Sequence, residues 1–380
     1  MKTVKLYDND SYLKEFTATV LKSEKADKYY KIVLDRTAFF PEGGGQYSDT
    51  GFIADAKVFD VQIENDIIYH YCDMPLNIND NVDCKINFSE RFDKMQQHSG
   101  EHIISGIVNK LYGYNNTGFH LSDNIVTLDF DGALTRADLD KIEILSNEAV
   151  HKNAKITAEY PDADTLKNTP YRSKLELTEN VRLVTIDGYD ICACCAPHVK
   201  NTGGIGIIKL LDAEKHKKGV RITIKCGMRA VLDYQNKYCN ISKISAALKV
   251  PQSDTAEAVN TLLADNDRLK YEITGLKREL LEIKLAQLPT TNGNIVMIEE
   301  NADMLSLRYI ADKGAEKCNI FVALGTADGG YNFVACSKKI DLKEILPEIK
   351  TKLGLVGGGS SSMLQGKITA DIKTTQDFFR

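Results

Sequence analysis

The chain has 380 residues, more than one compact core holds, so two or three domains are expected. With 43% hydrophobic and 27% charged residues it reads as globular, and a net charge of −5 argues against a protein that coats nucleic acid nonspecifically, though a local basic face is still allowed. Nine cysteines, an odd number of which only Cys192, Cys194 and Cys195 cluster, argue against a disulfide framework and point to a reducing cytosol. The opening MKTVKLYDNDSYLKEF lacks the apolar core of a secretory signal, and no apolar run approaches the ~18 residues that span a bilayer, so a cytoplasmic protein is expected.

Residues 1–88 alternate apolar and polar positions in short runs rich in Val, Ile, Thr and Tyr, which predicts strands forming a small barrel or sandwich. From Ser89, the expected N-cap, the spacing turns helical. Phe92, Met95, His102, Ile103, Val108 and Leu111 share one face, and Gly113 is a fitting stop. A strand (124–132), a second helix capped by Thr135, and further strands at 181–194 and 204–227 make 89–227 an α+β region.

Residues 228–286 are helical in pattern. Val259, Asn266, Ile273 and Leu280 recur every seven residues, as do Leu262, Leu269, Leu276 and Ile283. This stripe suits either a self-pairing coiled coil or an intramolecular helical hairpin, and Asn266 is the polar a-position residue that fixes register. After Pro289, residues 287–380 alternate strands and helices and end in a glycine-rich stretch, 354–367. The fold class expected is therefore multi-domain α+β. It comprises a small N-terminal β-barrel (1–88), an α+β domain (89–227), a helical connector (228–286) and a C-terminal α/β domain (287–380).

Two fragments carry chemistry. In His98-Ser99-Gly100-Glu101-His102 the histidines are four apart on a predicted helix, so both imidazoles share a face, as two ligands of one metal would. Cys194-Cys195-Ala196-Pro197-His198 offers a thiolate and an imidazole that complete a set of three nitrogens and one sulfur, which suits tetrahedral Zn2+. Cys192, Cys194 and Cys195 compete for the one thiolate role, and spacing does not choose among them. Glu101 beside His102 is either a general base or a supporting group.

The loop Pro41-Glu42-Gly43-Gly44-Gly45-Gln46 lets backbone approach a ligand, with N–H groups for an ester carbonyl or phosphate. Lysines and arginines gather between 200 and 229, either a face for phosphates or an ordinary solvated surface. HSGEH also fits the H-x-x-E-H pattern of inverted zinc proteases, but those take a downstream carboxylate where this chain offers Cys and His.

Taken in order, residues 34–51, 98–102, 117–132 and 194–206 resemble the alanyl-tRNA editing proteins (AlaX type), which are similar to the editing domain of alanyl-tRNA synthetase. The register of that resemblance selects Cys194, with His98, His102 and His198, as the zinc ligands. It also places Thr37, Gly43, Gly44, Gly45 and Gln46 at the substrate, with Thr37 able to bond a serine hydroxyl. Residues 287–380 resemble the DHHA1 domain of the long forms, except that Ser360, Ser361 and Ser362 stand where relatives carry an Arg-Pro-Asp-like stretch. No P-loop or GxGxxG follows a strand.

The resemblance implies a zinc-dependent hydrolase that removes a wrong amino acid from tRNA in trans, serine (or glycine) from alanine tRNA, with Glu101 as catalytic candidate. A homodimer through 255–286 and the C-terminal domain is also expected. The alternative is a non-catalytic, zinc-containing tRNA-binding protein.

Overall fold

The computed structural model describes residues 2–122, 125–173, 181–300 and 302–380. It divides into two units, Met1–Ser242 and Lys243–Arg380. No helix among the described residues is long and apolar enough to cross a membrane.

In the first unit, strands β1 (Glu15–Ala26), β2 (Tyr29–Leu34), β3 (Gly51–Ile53), β4 (Ala56–Glu64), β5 (Ile67–Cys72) and β6 (Asn81–Ile86) pair antiparallel in the order β1-β2-β5-β4-β3-β6. The ring closes where β6 pairs back on β1. Alternation sends Val20, Ile32, Leu34, Val58, Val61 and Ile68 into a fully buried core.

His70 on β5 lies inside this core. Its Nδ1 donates to Ile32 O at 3.1 Å and its Nε2 accepts from the Thr37 hydroxyl at 2.8 Å. Burial lowers its pKa from 6.5 to about 4. The unfolded chain therefore takes up this proton first as pH falls, and the barrel's stability is expected to drop by about 3 kcal/mol between pH 6.5 and 4. Urea titrations across that window check this, and a His70→Gln protein should show the shallower pH slope.

Helix α1 (Phe88–Tyr112) follows the barrel. Its N-cap is Asn87 rather than Ser89, whose hydroxyl instead donates to Asn87 Oδ1 at 2.8 Å. It ends at Gly113, in the left-handed conformation at φ 71°. The single apolar face expected from the sequence is too narrow a description. Every residue from Lys94 to Val108 is buried, whereas Leu111 is exposed. The helix is enclosed because the rest of the unit packs around it. A four-stranded antiparallel sheet contributes β7 (Asn116–Leu121), β8 (Val126–Phe130), β12 (Ile208–His216) and β13 (Gly219–Cys226). Helix α2 (Arg136–Lys152) begins at a capping box between Thr135 and Asp138. A three-stranded antiparallel sheet contributes β9 (Ile156–Glu159), β10 (Leu183–Ile186) and β11 (Asp190–Ala193).

The helical stretch read over 228–286 is two helices, α3 (Gly227–Leu248) and α4 (Thr255–Gln287). The α4 heptad stripe is not covered within the chain: Leu262 is 57% exposed, Leu269 49% and Leu276 65%.

In the second unit, β14 (Ile295–Ile298), β15 (Phe321–Ala327), β16 (Gly330–Cys336), β17 (Val356–Gly359) and β18 (Met363–Ile368) form one sheet in the order β14-β15-β16-β18-β17. Only the β14–β15 pair is parallel. The glycine-rich tail is thus an edge hairpin of this sheet, and the three serines lie at its turn.

Candidate metal centre

Helix α1 sets His98 and His102 one turn apart, with ring centroids 5.4 Å from each other. The segment leaving β11 brings Cys194 and His198 to the same point. Arg182, itself buried, donates from Nη1 to Cys194 O at 3.1 Å and to Ala196 O at 3.0 Å, which fixes that turn. One ligand atom from each of the four residues lies within 4.8 Å of all the others. Cys194 Sγ is 3.6 Å from His98 Nε2 and 3.4 Å from His198 Nε2. Ligands at ~2.0–2.3 Å from one tetrahedral ion stand about 3.3–3.8 Å apart, so these two separations match donors gathered around one metal ion. The geometry also chooses among the cysteines. Cys195 is exposed beside the glycine loop, 3.4 Å from where a Gly44 Cβ would sit. Cys192 is buried beside Ala193 O.

Each histidine is held through its outer nitrogen, Nδ1. His98 meets Gln46 Oε1 at 3.1 Å, His198 meets Ser99 Oγ at 3.0 Å, and His102 meets Asp190 Oδ2 at 3.0 Å. All three Nε2 atoms therefore face the centre. Burial alone would raise the Cys194 thiol, but the charge on His98 and hydrogen bonds from His102 and His198 hold it well below its usual range. Burial pushes His198 down to about 3. Burial alone would lower His102, but the charge on Glu101 and its contacts with Asp190 and Cys194 hold it well above its usual range.

Glu101 is buried against the centre rather than solvated. Its Oε1 accepts from Ser105 Oγ at 2.7 Å and from Asn116 Nδ2 at 2.6 Å, and its Oε2 lies 3.6 Å from His102 Nε2. A cavity of about 480 Å3 opens onto His98, His102, Cys194 and Glu101, and Gly44 and Gly45 form part of its wall. Gly45 stands at φ 81°, with Phe119 O 2.8 Å from where a Cβ would sit, so only glycine fits there. A larger depression, about 720 Å3, lies on the barrel's outer wall beside Phe52 and Phe59, away from this cluster.

Other predicted site residues are placed differently. Thr37 is fully buried in the barrel. Its hydroxyl meets His70 Nε2 at 2.8 Å and accepts from Phe39 N at 3.1 Å. Gly43 pairs its backbone with Gln46 inside the turn. Gln46 supports His98, leaving its Nε2 without a hydrogen-bond partner among the described residues. The basic run is largely neutralised: Lys200, Lys209, Arg221, Lys225 and Arg229 pair with Asp10, Glu143, Asp129, Asp233 and Asp93.

Residues 4–90 match a family described as tRNA synthetases class II (A), and residues 181–222, which hold Cys194 and His198, match the threonyl and alanyl tRNA synthetase second additional domain. The chain is 27% identical to the mouse alanyl-tRNA editing protein Aarsd1, over 96% of this chain and 94% of that one. It is 28% identical to the alanyl-tRNA editing protein AlaX-L of Pyrococcus horikoshii, over 96% and 95%. The chain is a homologue of the alanyl-tRNA editing proteins. This editing-protein homologue also aligns with the alanine–tRNA ligase of Methanococcus vannielii at 29% identity, over 96% of its own length but 42% of the ligase.

Proposed function

We propose that this chain hydrolyses the ester that joins a wrong amino acid to alanine tRNA, serine first and glycine second, acting in trans with zinc held by His98, His102, Cys194 and His198. The observation that carries the reading is a metal-ready cluster with a buried carboxylate beside it, opening on a cavity of about 480 Å3. The relatives named as editing proteins align over 94–95% of their length, which supports action in trans.

Bound there, zinc would supply a positive charge that orients the ester end, and it would polarise the ester or lower the pKa of a water where one of the four ligands gives way, because a tetrahedral ion holding all four has no open position. Glu101 accepts the proton of the attacking water at Oε2 while Ser105 and Asn116 hold Oε1. The water oxygen bonds to the ester carbonyl carbon, the bond from that carbon to the ribose oxygen breaks, and the proton passes to the ribose oxygen. Gly44 and Gly45, which line the cavity, are the donors assigned to the ester end. Lys5 and Arg182, which also line the cavity, face the terminal phosphate. In this reading 1–88 and 89–227 form the editing module, 228–286 the connector and 287–380 a DHHA1-like part that meets the tRNA body.

The test is deacylation of Ser-tRNA(Ala), Gly-tRNA(Ala), Ala-tRNA(Ala) and Ser-tRNA(Ser) by the zinc-loaded protein. Hydrolysis confined to the first two supports the reading. A protein that binds zinc and tRNA but hydrolyses none is the non-catalytic binder.

Because Thr37 is engaged by His70, a Thr37→Val protein is expected to lose about 1–3 kcal/mol of stability through unpaired buried groups, with its Ser-to-Ala selectivity unchanged. Denaturant melts alongside the same deacylation panel check both parts. The exposed α4 stripe, with help from the C-terminal part, is proposed to pair two copies. Light scattering should give a dimer whose assembly changes in Asn266→Leu, and a monomer at micromolar concentration would end this idea.

A further inference from the structure

We propose that Asp190, clamped by Arg172, is a positioning residue that sets the grip of His102 on the metal. This rests on the reading of the cluster as a metal site. The three histidines are held unequally: His98 by an amide oxygen, His198 by a hydroxyl, His102 by a carboxylate. A carboxylate acceptor on Nδ1 makes Nε2 the more basic donor and fixes the ring plane.

Asp190 is itself over-determined. Arg172 Nε donates to Oδ1 and Nη2 to Oδ2, both at 2.7 Å, so Oδ2 takes a donor from each side. The side chain of Asp190 is only 2% exposed, and its charge is balanced by that guanidinium. The backbone holds the same arrangement. Arg172 N donates to Ile191 O at 2.8 Å and Ala193 N to Arg172 O at 2.9 Å, which lays this segment along β11 and carries Ser173 to the cavity. At Gly106, one turn past His102, a Cβ would meet Tyr189 O at 2.4 Å and Asp190 Cβ at 3.0 Å. The β10–β11 hairpin is thus seated directly on α1, and its carboxylate has no room to drift.

The experiment compares zinc affinity, by competition with a chromophoric chelator, for the full chain and for Asp190→Asn, Arg172→Ala and Ser99→Ala. Cobalt absorption spectra and metal-free melting curves accompany each. Asp190→Asn and Arg172→Ala are expected to weaken zinc binding about 10–100-fold and to shift the cobalt spectrum, with Ser99→Ala weakening it less. A purely structural role would lower the metal-free melting temperature and leave the cobalt spectrum of the folded fraction unchanged, which overturns the proposal. So does an Asp190→Asn protein that binds zinc as tightly as the parent while the parent still edits. A parent chain that binds no zinc overturns this proposal and the metal reading together. If the first two variants do not fold, Arg172→Lys keeps the charge but not the two-pronged contact. It should then show an intermediate loss, and parental affinity there counts against the proposal.

Discussion

A Cys194→Ala protein is expected to purify with little bound zinc and to deacylate Ser-tRNA(Ala) roughly 10³-fold more slowly, the scale on which an electrophilic group contributes. The reason is the closure of the cluster. Cys194 Sγ stands 3.6 Å from His98 Nε2 and 3.4 Å from His198 Nε2, and it is the cysteine grouped with all three histidines. Glu101→Gln should part the two losses. It keeps the hydrogen bonds of a buried side chain but cannot take a proton, so zinc content should stay near the parental level while the rate falls about 10²–10⁴-fold. Metal analysis and single-turnover deacylation on both variants decide it. A Glu101→Gln protein at the parental rate removes Glu101 from the chemistry.

Replacing Arg91 by alanine is expected to cost about 3–5 kcal/mol, because it strands Asp49 as an uncompensated buried charge. Both side chains are essentially fully buried. Arg91 reaches Asp49 through Nε at 2.9 Å and through Nη2, and it also donates to Ala38 O at 2.7 Å and Ser11 O at 3.2 Å. Asp49 in turn accepts from Phe40 N at 2.6 Å. One guanidinium therefore joins the first turns of α1 to both ends of the glycine loop. In a unit of this size the loss corresponds to a fall of roughly 6–20 °C in melting temperature. Replacing both partners together, as Arg91→Met with Asp49→Leu, should cost less than Arg91→Ala alone, and thermal melts of the two proteins test the claim.

Much of this architecture was legible because it is periodic or local. The period-two runs of 1–88, the i,i+4 histidines, the stop at Gly113 and the cap at Thr135 are all set by neighbours in sequence. What escaped depends on distant partners. Asp190 sits alone between Tyr189 and Ile191 and shows its purpose only when the hairpin lies on α1. Gln46 reads as a substrate contact from its loop, yet its oxygen is committed to His98. Thr37 reads the same way, yet its partner is His70, two strands and several turns later. The basic run at 200–229 seems free in sequence because the acids that meet it, such as Asp93 and Asp129, come from elsewhere. The tail hairpin was hidden by its glycines, which carry little strand preference and form β17 only against β18.

The centre draws His98 and His102 from one side of a loop of about 90 residues and Cys194 and His198 from the other, so an ion held there is also a cross-link. Most of the α+β region lies inside that loop. Withdrawing the ion would release the tie that holds the loop's ends, and the free energy given up grows with how far the metal had exceeded its dissociation constant, about 4 kcal/mol at a thousandfold excess. In a cell short of zinc, such a protein would be thinned by proteolysis as well as silenced, so metal supply would govern how many copies persist.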